Sequence, residues 1–476
     1  MKENDIQLDF NFSRNLDFQK NLNISHINEF LNQSLFRKFS NSKLIQKHLK
    51  FLMIELFCCW SECEKQFLSV SMSKRGYKAR SRYNPNMISS VCIEAINILK
   101  TMKLIDIYPG FYDSSRGISR RTRIKASEFL ISEFKKYSFN IYEMLNSKKR
   151  ESLYLFDKDS NLKEYDDTIS THEIREVINN YNLILLKTFF DIPCLEDPFI
   201  TRGDNSKILV SHLSVLNKME YSINWQNSGN FSGGWWDKLD LKSIHFFSKH
   251  MLINNAETSF IDFSNFLTLF LSRELGIKKI DLNIDFMKKN FFFISNLDQL
   301  NHLILRGLKS KNFNSFFRSF CNDKTKMGIT QRIAKKSFKK FVEFIENYNT
   351  EIYKNFYKNK RVNWDGFVSR IFYQLLKNVA SSSLPIIKIK DKFFFPTKFE
   401  SNVVNYLKNY LSKIINSDKV DLQLNRSFSY NSEVNKSLFK RIIGSDLKYT
   451  DRYLVNKKEF LGIMKNNKLL TNMGEK

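Results

Sequence analysis

Apolar positions recur at helical spacing through "KFSNSKLIQKHLKFLMIELFCCWSECEKQFL" (38–68), after a Ser/Asn cap signal, and predict one long amphipathic helix. A loop then runs to Pro85, a second helix is expected from about Ile88 to Met102, and two short strands flank "DSSRG" (113–117). Residues 126–228 read as mostly helical, with a polar break at "KKRESLYLFDKDSNLKEYDDT". Further on, "ETSFIDFSNFLTLFLSRELGI" (257–277) predicts a strand ending at Asp262, then a helix capped by Ser264 whose apolar face is Phe266, Leu267, Phe270 and Leu271. The stretch "LPIIKIKDKFFFP" (384–396), bounded by two prolines, reads as strand, tight turn, strand, with Asp391 at the turn. Between them "LNHLILRGLKSKNFNSFFRSF" (300–320) reads as one amphipathic helix.

These patterns predict an α+β chain, mostly helical overall. The order helix, strand, Gly-bearing turn, strand in 38–150 is that of a winged-helix DNA-binding domain. An Asn-rich arm (1–37) precedes it, a helical connector (151–228) follows, and 417–476 is a polar appendage. At "GNFSGGWWDKL" (229–239) three glycines and two tryptophans fall within eight residues, and this turn marks the start of a second module, 229–416. Trp235 and Trp236 are read either as core or interface anchors or as platforms on which a nucleic-acid base stacks.

Charge narrows the partner. The 76 Lys and Arg against 49 Asp and Glu leave a net charge of +27, a surplus that concentrates polyanions around the molecule. Lys74, Arg75, Lys78, Arg80 and Arg82 lead into the second helix, and Arg116, Arg120, Arg121, Arg123 and Lys125 decorate the expected wing. Phosphate contact is the simplest use of that clustering, so DNA or RNA is the expected partner. The six cysteines have no metal-ligand or paired spacing and read as buried thiols of a reducing compartment, cytoplasm or organellar matrix. No apolar run approaches 18 residues and no export signal opens the chain, so secretion and membrane spanning are not expected.

Candidate chemistry lies in the second module. Asp262 and Asp391, each at a strand end, are hard carboxylates of the kind that hold Mg²⁺ or Mn²⁺, and the helix bearing Arg306, Lys309 and Lys311 is suited to a nucleoside triphosphate. In order, "GNFSGGWWDKL", "TSFIDFSNFLTLFLSRELGI", "LRGLKSKNFNSFF" and "LPIIKIKDKFFFP" resemble four blocks of a group of plasmid, phage and bacterial proteins, whose palm and fingers resemble motifs A, B and C of family A DNA polymerases. The resemblance implies that Asp262 and Asp391 hold the two catalytic metal ions and that Arg306 opens the nucleotide-binding helix. It implies a template-dependent nucleotidyltransferase, polymerase or primase, or a decayed relative that binds DNA for replication initiation or maintenance of a mobile element. Departures from the pattern are local: Ser310 stands where a Lys should follow Arg306, Leu267 or Thr268 where a His should follow Asp262, and Lys390 and Lys392 flank Asp391. Two lysines beside a metal-binding carboxylate compete with the cation for its charge.

Overall fold

A computed structural model describes residues 9–473, apart from 25–26, 30–41, 116, 138–140, 146, 148, 203–204, 212–213, 223–228, 278–283, 324–328, 330–331, 360–361, 380–382, 416–419, 421 and 428–448. Helix, at about 50%, outweighs strand, at 17%, in an α+β chain with several small sheets. The chain divides into two compact units, one of Met1–Ser152 with Glu164–Asp167 and Glu459–Lys476, the other of Leu153–Lys163 and Thr168–Lys458.

In the first unit, strand β1 (Ser13–Asn15) precedes helix α1 (Lys43–Glu62), β2 (Phe67–Val70), helix α2 (Val91–Thr101), β3 (Ile105–Tyr108), a hairpin of β4 (Phe111–Asp113) and β5 (Ile118–Arg120), and β6 (Thr122–Ala126). Strands β1, β2, β6 and β3 form one sheet in that order, with β1 parallel to β2 and the other pairs antiparallel. Ser42 caps α1 by accepting a hydrogen bond from the Ile45 N–H, and α1 buries Phe51, Leu52, Met53 and Ile54. The described part of the N-terminal arm is folded rather than loose. Glu55 is fully buried on α1, where an unpaired carboxylate is costly. Arg14 of β1 pairs with it at 3.1 Å and Lys20 at 2.7 Å. Arg14 also pairs with Glu62 at 3.0 Å. Hydropathy of the arm carried no sign of this, because the demand for its cations comes from α1.

The second unit opens with β7 (Leu153–Phe156), α3 (Ile169–Leu186), β8 (Asn217–Ser222) and β9 (Asn230–Gly233), where β8 lies between β9, antiparallel, and β7, parallel. Trp235 and Trp236 follow, 1% and 0% exposed, in edge contact with each other at 5.8 Å. Trp235 also meets Phe247 at 5.1 Å, and Trp236 meets Phe190 at 5.3 Å. Gly234 has φ 71°, and a Cβ there would fall 2.4 Å from the Trp236 indole, so glycine is what allows the chain to bend around that ring.

The second sheet of this unit carries the site. It contains β10 (Thr258–Asp262), β11 (Ile387–Ile389), β12 (Lys392–Pro396) and β13 (Leu424–Arg426), ordered β11-β12-β10-β13 and antiparallel throughout. All five residues of β12 are buried, so both faces of the sheet are covered. Phe394 stacks on Phe260 at 4.9 Å on one face, while Phe393 meets Phe263 at 4.6 Å. Within the expected C-terminal appendage, β13 thus completes the sheet, and Arg452 makes a two-point ion pair with buried Asp191. Among the described residues no helix is long and apolar enough to cross a membrane.

Candidate functional site

Three carboxylates converge at one end of the β10–β12 pair. Asp262 is the last residue of β10 and stands directly opposite Lys392 in the ladder, which puts the two side chains on one face. Asp391 sits in the two-residue turn between β11 and β12, where Lys390 takes a left-handed φ of 54°, and its carbonyl accepts from the Phe263 N–H at 2.9 Å. The third, Asp298, comes from the first turn of a helix at Leu297–Lys309, capped by Asn296, and Asn301 of that helix donates to the Ser264 carbonyl at 2.8 Å. Each of the three offers an oxygen within 4.8 Å of the others. Asp262 also caps the turn that follows it: its Oδ1 accepts from the Ser264 N–H at 2.9 Å, a role expected of the Ser264 side chain.

The centre of this group is filled by an ammonium. Lys392 Nζ lies 2.6 Å from Asp262 Oδ2, 3.1 Å from Asp298 Oδ2 and 3.6 Å from Asp391 Oδ1, with its side chain 7% exposed. Burial pushes the Asp391 carboxyl up to about 7, and neighbouring Asp298 and Asp262 add to the shift while Lys392 opposes it. Lys392 itself is raised well above the ordinary lysine value, because burial, which lowers it, is outweighed by Asp391, Asp262 and Asp298. Hard carboxylate oxygens are the right donors for Mg²⁺ or Mn²⁺. Yet every one of these three already faces the same ammonium, which donates to Asp262 and Asp298 and forms an ion pair with Asp391 at 3.6 Å. The residues present therefore do not fit a divalent cation without moving Lys392.

The expected nucleotide-binding residues make contacts of their own, away from the strand ends that carry Asp262 and Asp391. The predicted single helix is two, α4 (Leu297–Lys309) and α5 (Phe313–Asp323), broken where Asn312 and Ser315 cap the second. Arg306 pairs with Asp323 of α5, donates to Ser319 Oγ at 2.9 Å and lies beside His302. Lys309 lines a cavity of about 580 Å³ with Tyr221, Asn230 and Asn363. Lys311 is exposed, and its backbone N–H donates to Ser315.

In the first unit Lys74, Arg75, Lys78 and Arg80 are exposed. Arg82 is held in place, paired with Asp167 at 3.0 Å and Glu151 at 3.4 Å and lying over the Tyr165 ring. Arg120 covers the Phe10 ring at 4.1 Å, and Arg123 donates to the Phe10 carbonyl and to Ser69 Oγ. Lys125 stands opposite Asp106 in the β3–β6 ladder, and Arg116 lies outside the described residues. Burial lowers the Arg123 value, and the nearby Arg120 and Arg121 lower it further. Burial raises the Tyr77 hydroxyl and Cys92 raises it further, while Arg121 pulls it down.

Two features escaped the sequence reading. Asp298 resembled an ordinary acid in the first turn of a helix, where the dipole favours it. Lys43, Lys47 and Lys50, spaced by four and three on α1, line a cavity of about 720 Å³ with Lys149, Asn28 and Asn86, and no carboxylate lines it among the described residues. That i, i+4, i+7 spacing was the available signal. Trp235 and Trp236 have both faces occupied by protein, which leaves neither free to stack on a base. No protein-family model matches the chain, and no curated protein matches its sequence.

Proposed function

We propose that the chain is a nucleic-acid-binding protein of replication type, of the kind carried by mobile elements. In this reading the first unit is a winged-helix module that grips the phosphate backbone of DNA, and the second is a palm-and-fingers fold that serves as a scaffold. The observation that carries it is the crowding of Arg120, Arg121 and Arg123, none of which pairs with a carboxylate among the described residues. Like charges held together without compensation favour a polyanion. The order α2, β3, the β4–β5 hairpin and β6 supports the winged-helix reading.

Exposed positions give the cleanest test. Arg75→Ala and Arg121→Ala, measured by fluorescence anisotropy on a duplex across a salt series, should each weaken binding and reduce the log–log salt slope by about 0.9. Slopes unchanged in both variants sink the proposal.

A second reading, a template-dependent nucleotidyltransferase using nucleoside triphosphates, is favoured by the convergence of Asp262, Asp298 and Asp391. It requires primer extension by the wild-type chain with Mg²⁺ or Mn²⁺, abolished by Asp262→Asn. Absence of product on both DNA and RNA templates removes it.

A further inference from the structure

We infer that Lys392 is a tethered counter-cation: its ammonium stands where a divalent ion would bridge Asp262, Asp298 and Asp391, excludes that ion, and makes the acidic centre of this chain independent of metal. The inference stands on the second unit alone and does not depend on duplex binding by the first.

The geometry leaves little choice in where the ammonium goes. Lys392 is the ladder partner of Asp262, so both side chains leave the sheet on the same face. The Asp262 carboxylate is fixed by the Ser264 N–H, which turns its other oxygen toward Lys392 Nζ at 2.6 Å. Asp391 is held by the bond from the Phe263 N–H to its carbonyl, and Asp298 is held by a capped helix tied to Ser264 through Asn301. Three carboxylates placed by three separate elements meet one cation whose tether is buried strand. A bound divalent ion needs these same oxygens at about 2.0–2.6 Å, so ion and ammonium exclude each other at this spacing. An ion must therefore displace a charge that is covalently attached and always present. Two nearby lysines do not share this role: Lys390, on the other side of Asp391, is exposed, and Lys388 stands opposite Phe393 in the ladder, so its side chain leaves the sheet on the face opposite that of Lys392.

Removing the charge while keeping the length of the side chain should convert the triad into a divalent site. The full-length wild type, Asp262→Asn, Lys392→Met and Lys392→Met/Asp262→Asn are titrated with Mn²⁺, reading free ion by electron paramagnetic resonance, and melted with EDTA or with excess Mn²⁺. Wild type should show no Mn²⁺ binding that Asp262→Asn removes, and the same melting temperature in both conditions. Lys392→Met should bind Mn²⁺ at least about tenfold more tightly than wild type. It should melt at a lower temperature in EDTA and recover with Mn²⁺, and Asp262→Asn should abolish both effects. Should Lys392→Met fail to fold under either condition, Lys392→Met/Asp298→Asn, with one uncompensated charge fewer, carries the same expectation. Asp262-dependent Mn²⁺ binding by the wild type overturns the inference, as does a folded Lys392 variant that ignores Mn²⁺.

Discussion

Burial acts on opposite charges at His302 and Asp391, and the two residues give the chain opposed pH slopes. Burial, aided by Arg306, lowers His302 from 6.5 to about 4. The folded state thus binds fewer protons there than the unfolded state, and the stability this residue contributes is lost as pH falls from about 6.5 through about 4. Asp391 is raised from 3.8 to about 7, so the folded state binds more protons, and stability falls as pH rises across that window. Thermal melts between about pH 4.5 and 6.5 should show stability that falls with pH in His302→Asn, and stability that rises with pH in Asp391→Asn. Asp262 and Asp391 were legible in the sequence because each ends an apolar strand. Asp298 was not, since nothing in the order of residues says that its helix returns to β10. Lys392 was visible as a competitor for Asp391, but only the register of β12 on β10 shows that it reaches all three acids.

Among elements, α4 shows what periodicity misses. Its apolar stripe continues through 300–320, yet Ser310 ends the helix and Asn312 and Ser315 restart the chain as α5 in a new direction. Hydropathy periodicity is blind to such a break, because both helices bury the same kinds of residue. Gly307 records the packing that results: a Cβ there would lie 2.6 Å from the Phe356 ring. Gly307→Ala gains about 1 kcal/mol of helix propensity and loses about 1–3 kcal/mol to overpacking, so a lower melting temperature is expected. Around Trp236 the loss runs the other way. Trp236→Ala should cost about 3–5 kcal/mol in denaturant unfolding, because a fully buried indole leaves a cavity against Phe190 and Trp235.

Taken whole, the molecule carries its +27 charge in more than one cluster. The lysine-lined cavity on α1 is built without the wing arginines, so Lys47→Gln/Lys149→Gln should weaken duplex binding and flatten its salt dependence while leaving the melting temperature nearly unchanged; an unaltered salt slope assigns that cavity to some other use. The charge surplus was legible at this scale from composition alone. The fourth strand of the site's sheet was not, because β13 arrives from a stretch that reads as polar tail. Its place on the outer edge of β10 matters most in its absence. A chain that stops before Leu424 leaves the backbone of Ser259, Phe260 and Ile261 open along an apolar strand, a ready template for another copy. Such shortened chains should form concentration-dependent assemblies in sedimentation while the full chain does not, which makes the last strand the cover that keeps β10 from templating another copy.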